Sequence, residues 1–451
     1  MWVGLLFSIM SISVFLQQQS SEALGLPMDD LEDTLETYRT LTISSLAAGN
    51  YLQPSRYTIE TLILHFTLEQ NVNVDTYIGN WILLGVIIRI AFRMGLHRDP
   101  SHWSNIPPFQ AELRRRIWIA LYQMDFFTSA QVGLPRIIKD SQCDTCPPTH
   151  LVDYDLSIAH DNTLSERPIT DSNPLSNIIQ RTNIIKVAAE IYDKTEAGPQ
   201  RADIIAALNA KLQQAVNSIP PECRYKSPAV SIGDPPATIL HRLFLDILIN
   251  KAVYLLYRRS FIRSLDQEES AKSNDICIKA ALAIIEHQRS INEETEPGGL
   301  FFSIRWKVVS SLNHEFLQAT MMLCFALSRL GRESPPATQQ MRQKIIDSLI
   351  LAKGLWERSA DRSIEARKAA KVISTILNKN ASEQILQTPV ASEWPFESIS
   401  GTTVESYSSD FGYGQYESLD TFLSIDDSNF RDALNDSMAE NAEQGWYEMN
   451  G

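Results

Sequence analysis

The densest group of residues that could bind a metal is the stretch Asp29–Asp33, with the sequence DDLED. Carboxylates one helical turn apart suit Mg²⁺, which prefers oxygen ligands, so the stretch could hold a magnesium diphosphate in an all-α enzyme of isoprenoid type. Asn274 and Asp275 begin a second motif of that kind, but Ile278 stands where a hydroxyl ligand is needed. The other interpretation is an acidic first turn of a helix, capped by one of the first aspartates. We favour the helix start and keep the enzyme as the alternative.

Cys143 and Cys146 form a C-x-x-C pair, which is half of a zinc site or a redox site when a partner pair exists. The chain has five cysteines, and the nearest one outside this pair is Cys223. Few, scattered cysteines are typical of a reducing compartment such as the cytoplasm or nucleus. We therefore expect neither a metal site nor a catalytic site in this chain.

The elements that would position residues around Cys143 are clearest between residues 77 and 150. A segment that is apolar around most of its circumference predicts a buried helix, which Gly95 ends and Pro100 prevents from resuming. A second helix begins after Pro107 and Pro108 and ends before Gly133. The three arginines 114–116 lie in its first turns, and we expect them to form a solvated or salt-bridged face.

This ordered set of motifs resembles the fungal-specific transcription factor domain, the middle regulatory region of fungal zinc-cluster transcription factors of the xylanolytic activator type. The residues that carry the resemblance are Trp81, Gly95, Leu96, His97, Arg98, Asp99, Arg115, Arg116, Trp118, Asp125, Gly133, Pro135, Cys143 and Asp144. The resemblance implies that they are structural or regulatory positions. It also implies a nuclear regulator of transcription by RNA polymerase II in a fungus, not an enzyme.

Full-length members of that family carry a basic module whose six cysteines bind two zinc ions and read DNA. This sequence lacks such a module, so the resemblance implies zinc and DNA only through a missing segment or a zinc-cluster partner. The net charge of −14 agrees, because binding the phosphate backbone needs clustered Lys and Arg. The resemblance leaves room for a homodimer and for a small-molecule effector, and we expect no cofactor in this chain.

The apolar segment Met1–Leu16 could be a signal peptide, a membrane anchor or a core helix. It has no basic residue, the first being Arg39, and it is shorter than the ~18 residues that span a bilayer. Trp2, Leu6 and Ile9 fall at helical spacing. We therefore predict a core helix and no membrane contact.

Apolar stripes at helical spacing predict an all-α body over residues 1–385, with a motif core at 77–150. Further helices are predicted near 178–195, 201–217, 237–263, 273–292 and 304–331, and two more within 337–378. A polar, proline-containing stretch at about 153–177 should be a mobile loop.

Residues 386–451 differ in composition from the rest of the chain. The segment 391–451 holds thirteen acidic residues and one basic residue, Arg431, which accounts for twelve of the fourteen net negative charges. Such a stretch cannot bury enough surface to fold alone, so we predict a disordered tail. Its aromatic and leucine residues, kept solvated by acids, could bind shallow grooves on a coactivator. The candidate activation residues are Trp394, Phe396, Phe411, Leu419, Phe422, Leu423 and Trp446.

Overall fold

The structure is a computed structural model that describes residues 1–23, 29–151, 174–198, 200–227, 230–231, 233–263, 268–307, 311–330 and 336–385. Within these residues the regular structure is helical and includes no β-strand, which confirms the all-α prediction. The α-helices of this part of the chain are α1 (Trp2–Ala23), α2 (Asp29–Ala48), α3 (Thr58–Val72), α4 (Ile78–Arg93), α5 (Pro108–Val132), α6 (Pro174–Glu196), α7 (Ala202–Asn217), α8 (Pro236–Arg263), α9 (Glu268–Thr295), α10 (Ser311–Arg329), α11 (Pro336–Ser359) and α12 (Ile364–Ile385).

Two predicted boundaries are wrong. Residues 174–177 belong to α6 and not to the predicted loop, because Pro174 opens the helix, where its missing N–H costs nothing. The helix predicted from Ile304 begins at Ser311, and a short 3-10 helix, Phe302–Lys307, precedes it. The rest of the predicted loop, residues 153–173, and the predicted tail, residues 386–451, lie outside the described residues.

The described residues divide into two compact units, with the boundary between Leu323 and Cys324. In the first unit most helices pack on their neighbours in sequence: α1 on α2, α3 on α4, α4 on α5 and α8 on α9. α6 packs on α8 as well as on α5 and α7. The predicted extent of one regulatory domain, residues 1–385, stays a prediction.

α1 is not the core helix that its apolar sequence predicts. Its buried positions are small residues, among them Ser8 and Ser11, whereas Trp2, Leu6 and Ile9 face outward. Among the described residues, Trp2–Ser21 is the segment long and apolar enough to cross a membrane by length and composition, and about a fifth of it is buried. The helix nevertheless packs along both α2 and α3.

A buried ion pair fastens α8 to the start of α10. The Lys251 ammonium contacts the Glu315 carboxylate, and both side chains are almost fully buried. The ammonium also lies 5.3 Å from the centre of the Phe126 ring on α5. Burial raises the pKa of Glu315 even though Lys251 lowers it.

In the second unit, α11 and α12 pack against each other. Ile345, Leu349 and Trp356 are buried on α11, as are Ile373 and Ile376 on α12. The start of α12 is also well defined, because the Ala366 N–H donates to the Ser363 hydroxyl at 2.9 Å, which caps the helix. The predicted break between these helices, at residues 359–363, matches the observed one.

Candidate functional site

Gly95 ends α4 in a left-handed conformation with φ 71°. The Leu96 N–H donates to the Ala91 carbonyl at 3.0 Å, and the Gly95 N–H donates to the Phe92 carbonyl at 3.0 Å. These two hydrogen bonds satisfy carbonyls that the end of a helix would leave unpaired. Leu96 is buried in this turn.

Because Gly95 has a positive φ, we expect Gly95→Ala to lower the free energy of unfolding by about 1–2 kcal/mol. A Cβ at this position would meet its nearest atom, on Arg114, at 3.6 Å, so the loss is backbone strain and not a clash. The matched control is Gly354, inside α11, where an added Cβ meets nothing within 4 Å. Gly354→Ala should raise stability by about 0.5–1 kcal/mol. Urea unfolding measures both, and a loss at both positions would contradict this account.

Asp99 is the centre of the turn that follows Gly95. Its carboxylate accepts two hydrogen bonds from the Arg115 guanidinium, at 2.8 and 2.9 Å. It also accepts from the backbone N–H groups of Ser101, at 3.0 Å, and Cys146, at 2.9 Å. The side chain is buried, and Arg115 holds the pKa of the carboxyl well below its usual range.

Asp144 joins the second loop to this turn. Its carboxylate accepts from the Asp99 N–H at 2.8 Å, which lowers the Asp144 pKa, and it contacts Arg98 at 2.9 Å and His102 at 2.8 Å. Its own N–H donates to the His97 carbonyl at 3.1 Å. Beside it, the Thr145 hydroxyl donates to the Leu96 carbonyl at 2.7 Å. We call this assembly, formed by residues 95–99, Arg115, Trp118 and residues 143–146, the motif corner.

Aromatic rings pack against one another in the motif corner. The His97 ring lies 5.1 Å from Phe92 and 6.3 Å from Trp118, centre to centre. Burial and the neighbouring Arg98 lower the pKa of His97, so the ring is neutral at neutral pH. His97 therefore acts here as a packing residue.

Three other predicted residues, Asp125, Gly133 and Pro135, form a separate cluster near the end of α5. The Asp125 carboxylate is buried and accepts from the N–H groups of Ile137, at 3.1 Å, and Ile138, at 2.8 Å. Burial raises its pKa despite these bonds. Gly133 ends α5 with φ 71°, and the exposed Pro135 follows. Asp125 thus fastens the segment after the helix back onto it.

Several residues that support these clusters were not predicted. Glu112 is fully buried and accepts from Arg116 at 2.9 Å and from the Thr149 N–H at 2.9 Å. Arg136 pairs with Asp193 on α6. The signal for Glu112 was its spacing of four residues from Arg116 on one helix, which suits an ion pair. No comparable signal linked Arg136 to a partner 57 residues away.

The predicted positions Trp81 and Cys143, and the neighbouring Cys146, make few specific side-chain contacts among the described residues. The Trp81 indole N–H is buried and makes no hydrogen bond in the described part of the chain. The Cys143 thiol donates to the Lys139 carbonyl at 3.3 Å, and burial with Asp140 nearby raises its pKa to about 11. Cys146 is exposed as a residue, but partial desolvation of its thiol, with Asp99 nearby, raises the pKa of that thiol as well. The two cysteines are thiols at neutral pH and form no disulfide.

In both clusters the side chains hold segments of the chain together, and their geometry does not suit catalysis. Each buried carboxylate accepts hydrogen bonds from backbone N–H groups or a guanidinium, so it is unsuited to act as a general base. In the described residues no group of three His, Cys, Asp or Glu side chains could hold a metal ion. Residues 29–33 form the first turn of α2, as the helix interpretation predicts.

Fold and site together define an all-α protein. The residues that carry the family resemblance, which we call the signature residues, fasten helix ends and loops to one another in it. Residues 3–217 match the family described as "Fungal specific transcription factor domain". This match confirms the resemblance that the order of motifs predicted. The motif corner lies inside the matched range.

Curated relatives extend the similarity beyond that range. The Zn(2)-C6 fungal-type transcription factor mpsB of Macrophomina phaseolina is 38% identical over 86% of this chain and 53% of its own length. The Zn(2)-C6 fungal-type transcription factor pigI of Monascus ruber is 35% identical over 89% of this chain and 50% of its own length. The pyrrolocin cluster transcription factor fsdR, from Fungal sp. (strain NRRL 50135), is 32% identical over 86% and 54%.

The chain spans about half the length of these curated relatives. No solved structure is significantly similar to it. The relatives are named as transcription factors, and none of these names supports the isoprenoid-type enzyme that the DDLED stretch left open.

Proposed function

We propose that this chain is the regulatory part of a nuclear transcription regulator of RNA polymerase II in a fungus. The observation that carries the proposal is the fungal-specific transcription factor domain at residues 3–217, in a chain whose relatives are named as transcription factors. Zinc and DNA would be bound by a separate zinc-cluster module or by a zinc-cluster partner.

In this proposal the motif corner gives the regulatory domain a rigid element. The ion pair between Asp99 and Arg115 and the hydrogen bonds of Asp144 join the end of α4, the start of α5 and the loop at residues 143–146. Three segments fixed in this way move together, so a signal received by one helix reaches the others. The signature residues are thus structural positions of a regulatory body.

Residues 386–451 would supply the activation segment. Twelve net negative charges and the interleaved aromatic residues are typical of acidic segments that bind coactivators. Within the tail, residues 418–425, SLDTFLSI, place Leu419, Phe422 and Leu423 at a spacing that suits one face of a short helix formed on binding. The relative fsdR is named as the transcription factor of the pyrrolocin cluster. This name favours a regulator that is dedicated to one cluster of that kind. A small-molecule effector would bind the body.

A reporter assay tests the proposal with three fusions to an unrelated DNA-binding domain: residues 386–451, residues 1–385 and the whole chain. We expect the tail to activate strongly, the body alone to be inactive, and the whole chain to activate less than the tail. Replacing Leu419, Phe422 and Leu423 together by alanine should reduce activation by the tail several-fold, because it removes the apolar groups that enter a coactivator groove.

The control for this triple variant replaces Tyr407, Tyr413 and Tyr416 by alanine, which removes as many side chains outside the predicted helix. Equal losses in the two triple variants would contradict the helix at residues 418–425. Inactivity of the tail in every fusion would contradict its role as an activation segment.

A further inference from the structure

The first half of α10 is attached to α8 through buried polar side chains. His314, Glu315 and Gln318 are all buried, and the spacing of four residues between His314 and Gln318 places them on one face of α10. α8 contributes Lys251, which contacts Glu315, and Tyr254, whose hydroxyl lies near the Glu315 carboxylate. We call these five residues the polar seam.

The polar seam contains buried atoms that make no hydrogen bond among the described residues. They are both ring nitrogens of His314, the hydroxyl of Tyr254 and the side-chain oxygen of Gln318. The His314 ring lies near the Ala130 carbonyl on α5, but the two do not reach the geometry of a hydrogen bond. Buried polar groups are normally paired, because burial removes the water that bonds them in solution. The attached state of α10 therefore carries a free-energy cost that hydration would remove.

α9 is attached to α8 in a different way. It packs closely along α8, and its buried residues include Cys277, Ile278, Ala281 and Ile284. The backbone of α10 has no such close neighbour among the described helices, so long side chains make its contacts. Apolar surface favours attachment because water is excluded from it, whereas the polar groups of the seam gain partners when water enters.

We propose that the first half of α10, residues 311–323, is a movable element that detaches from α8 and α5 while the other helices of the first unit stay folded. Detachment hydrates His314, Tyr254 and Gln318, which offsets part of the lost contact between Lys251 and Glu315. The boundary between the two compact units falls inside this helix, at residues 323 and 324. The movement goes beyond the proposed function and stands without it.

His314 links this movement to pH. Burial and the nearby Lys251 ammonium lower the pKa of His314 to about 3, and Arg258 on α8 acts in the same direction. In the detached helix the hydrated ring has its ordinary pKa of about 6.5. The attached state is therefore fully favoured above pH 6.5 and loses this advantage as the pH falls. Glu315 acts in the opposite direction, because burial raises its pKa in the attached state, so the test needs a variant of His314.

Hydrogen–deuterium exchange of the whole chain, measured by mass spectrometry at pH 7.5 and pH 5.5, tests the proposal. Protection factors, which compare each rate with that of an unfolded peptide, remove the intrinsic effect of pH. At pH 7.5 we expect peptides within residues 312–323 to be about tenfold or more less protected than peptides within residues 277–285 of α9. Their protection should fall by about a further tenfold at pH 5.5, because the detached state binds a proton at His314.

Three variants identify the groups responsible. H314L should raise the protection of residues 312–323 and remove its fall in acid, because leucine has no unpaired nitrogen and binds no proton. Q318L should raise the protection but keep the fall. The matched control is H65L, which removes another buried histidine with a lowered pKa, on α3, and should change neither value. Circular dichroism should give the same helix content for wild type and all three variants.

Equal protection of residues 312–323 and 277–285 in the wild-type chain would overturn the proposal, because both segments would then open only in global unfolding. A fall in acid that H314L retains, or that H65L removes, would assign the proton to another group and overturn the link between His314 and detachment. Unchanged protection in both H314L and Q318L would show that the unpaired atoms of the seam do not set the cost of attachment, and it would also overturn the proposal.

Discussion

The free energy of unfolding should fall by about 3 kcal/mol when Asp99 is replaced by alanine, because a buried charge pair loses one member. The Arg115 guanidinium then has no carboxylate, and the N–H groups of Ser101 and Cys146 lose their acceptor. Urea unfolding followed by circular dichroism measures the loss. Asp99→Asn, which keeps one oxygen acceptor, should lose less.

The pH dependence of this loss has a definite sign. The pKa of Asp99 is depressed in the folded protein, so its stabilisation is fully present above the unfolded pKa of about 3.9 and is lost as pH falls. The gap between wild type and Asp99→Ala should therefore be constant near neutral pH and narrow below about pH 4. A gap that widens in acid would contradict the assigned role of the carboxylate.

The comparison variant for Asp99 is Asp144→Ala. Asp144 contacts Arg98 and His102, both of which are about half exposed, so water replaces these partners readily. We expect a smaller loss of stability than for Asp99→Ala. If Asp144→Ala proved the more harmful, the second loop and not Asp99 would be the centre of the motif corner.

A loss of about 3–5 kcal/mol should follow from Glu315→Ala, because it leaves the Lys251 ammonium buried beside Phe126 without a counter-charge. Lys251→Ala should lower the free energy of unfolding by a similar amount, because it leaves the Glu315 carboxylate buried without a counter-charge. The double variant Lys251→Met with Glu315→Leu should recover most of the loss, since apolar side chains of similar volume need no hydration. The free energies of unfolding of wild type, the single variants and the double variant measure how strongly the two positions are coupled.

An exposed ion pair provides the control for this series. Lys211 on α7 contacts Glu190 on α6 at 2.8 Å, and its side chain is about half exposed. Lys211→Ala should change stability by less than about 1 kcal/mol, because solvent screens the pair. Equal losses at Lys251 and Lys211 would mean that the interior pair is hydrated in solution.

The ends of the helices around the motif corner could be predicted from sequence because local chemistry decides them. Gly95 and Gly133 occupy left-handed positions that other residues adopt at a cost, and Pro108 opens α5. The expected salt-bridged arginine face is likewise found, since Arg115 and Arg116 pair with Asp99 and Glu112. The resemblance to the family rested on the same residues, and the comparison with the family confirms it.

The partners of those residues required the tertiary structure. Asp99 and Asp144 are 45 residues apart, and nothing local to either one specifies the other. Asp125 likewise accepts from two N–H groups twelve and thirteen residues away, across the turn at Gly133. Backbone donors are present at every residue except proline, so a sequence does not show which of them a carboxylate will find.

α1 shows most clearly which features the sequence determined and which features the tertiary structure decided. Its composition determined a helix and an apolar surface, and both are present. Only the tertiary structure decided which face is buried, because a helix that is apolar all round gives no preference by hydrophobicity. Close packing decided it instead: Gly4, Ser8 and Ser11 let α1 approach α2 and α3, and Trp2, Leu6 and Ile9 were left outside. Local propensity thus set the elements of this protein, and the fit between their surfaces set the arrangement.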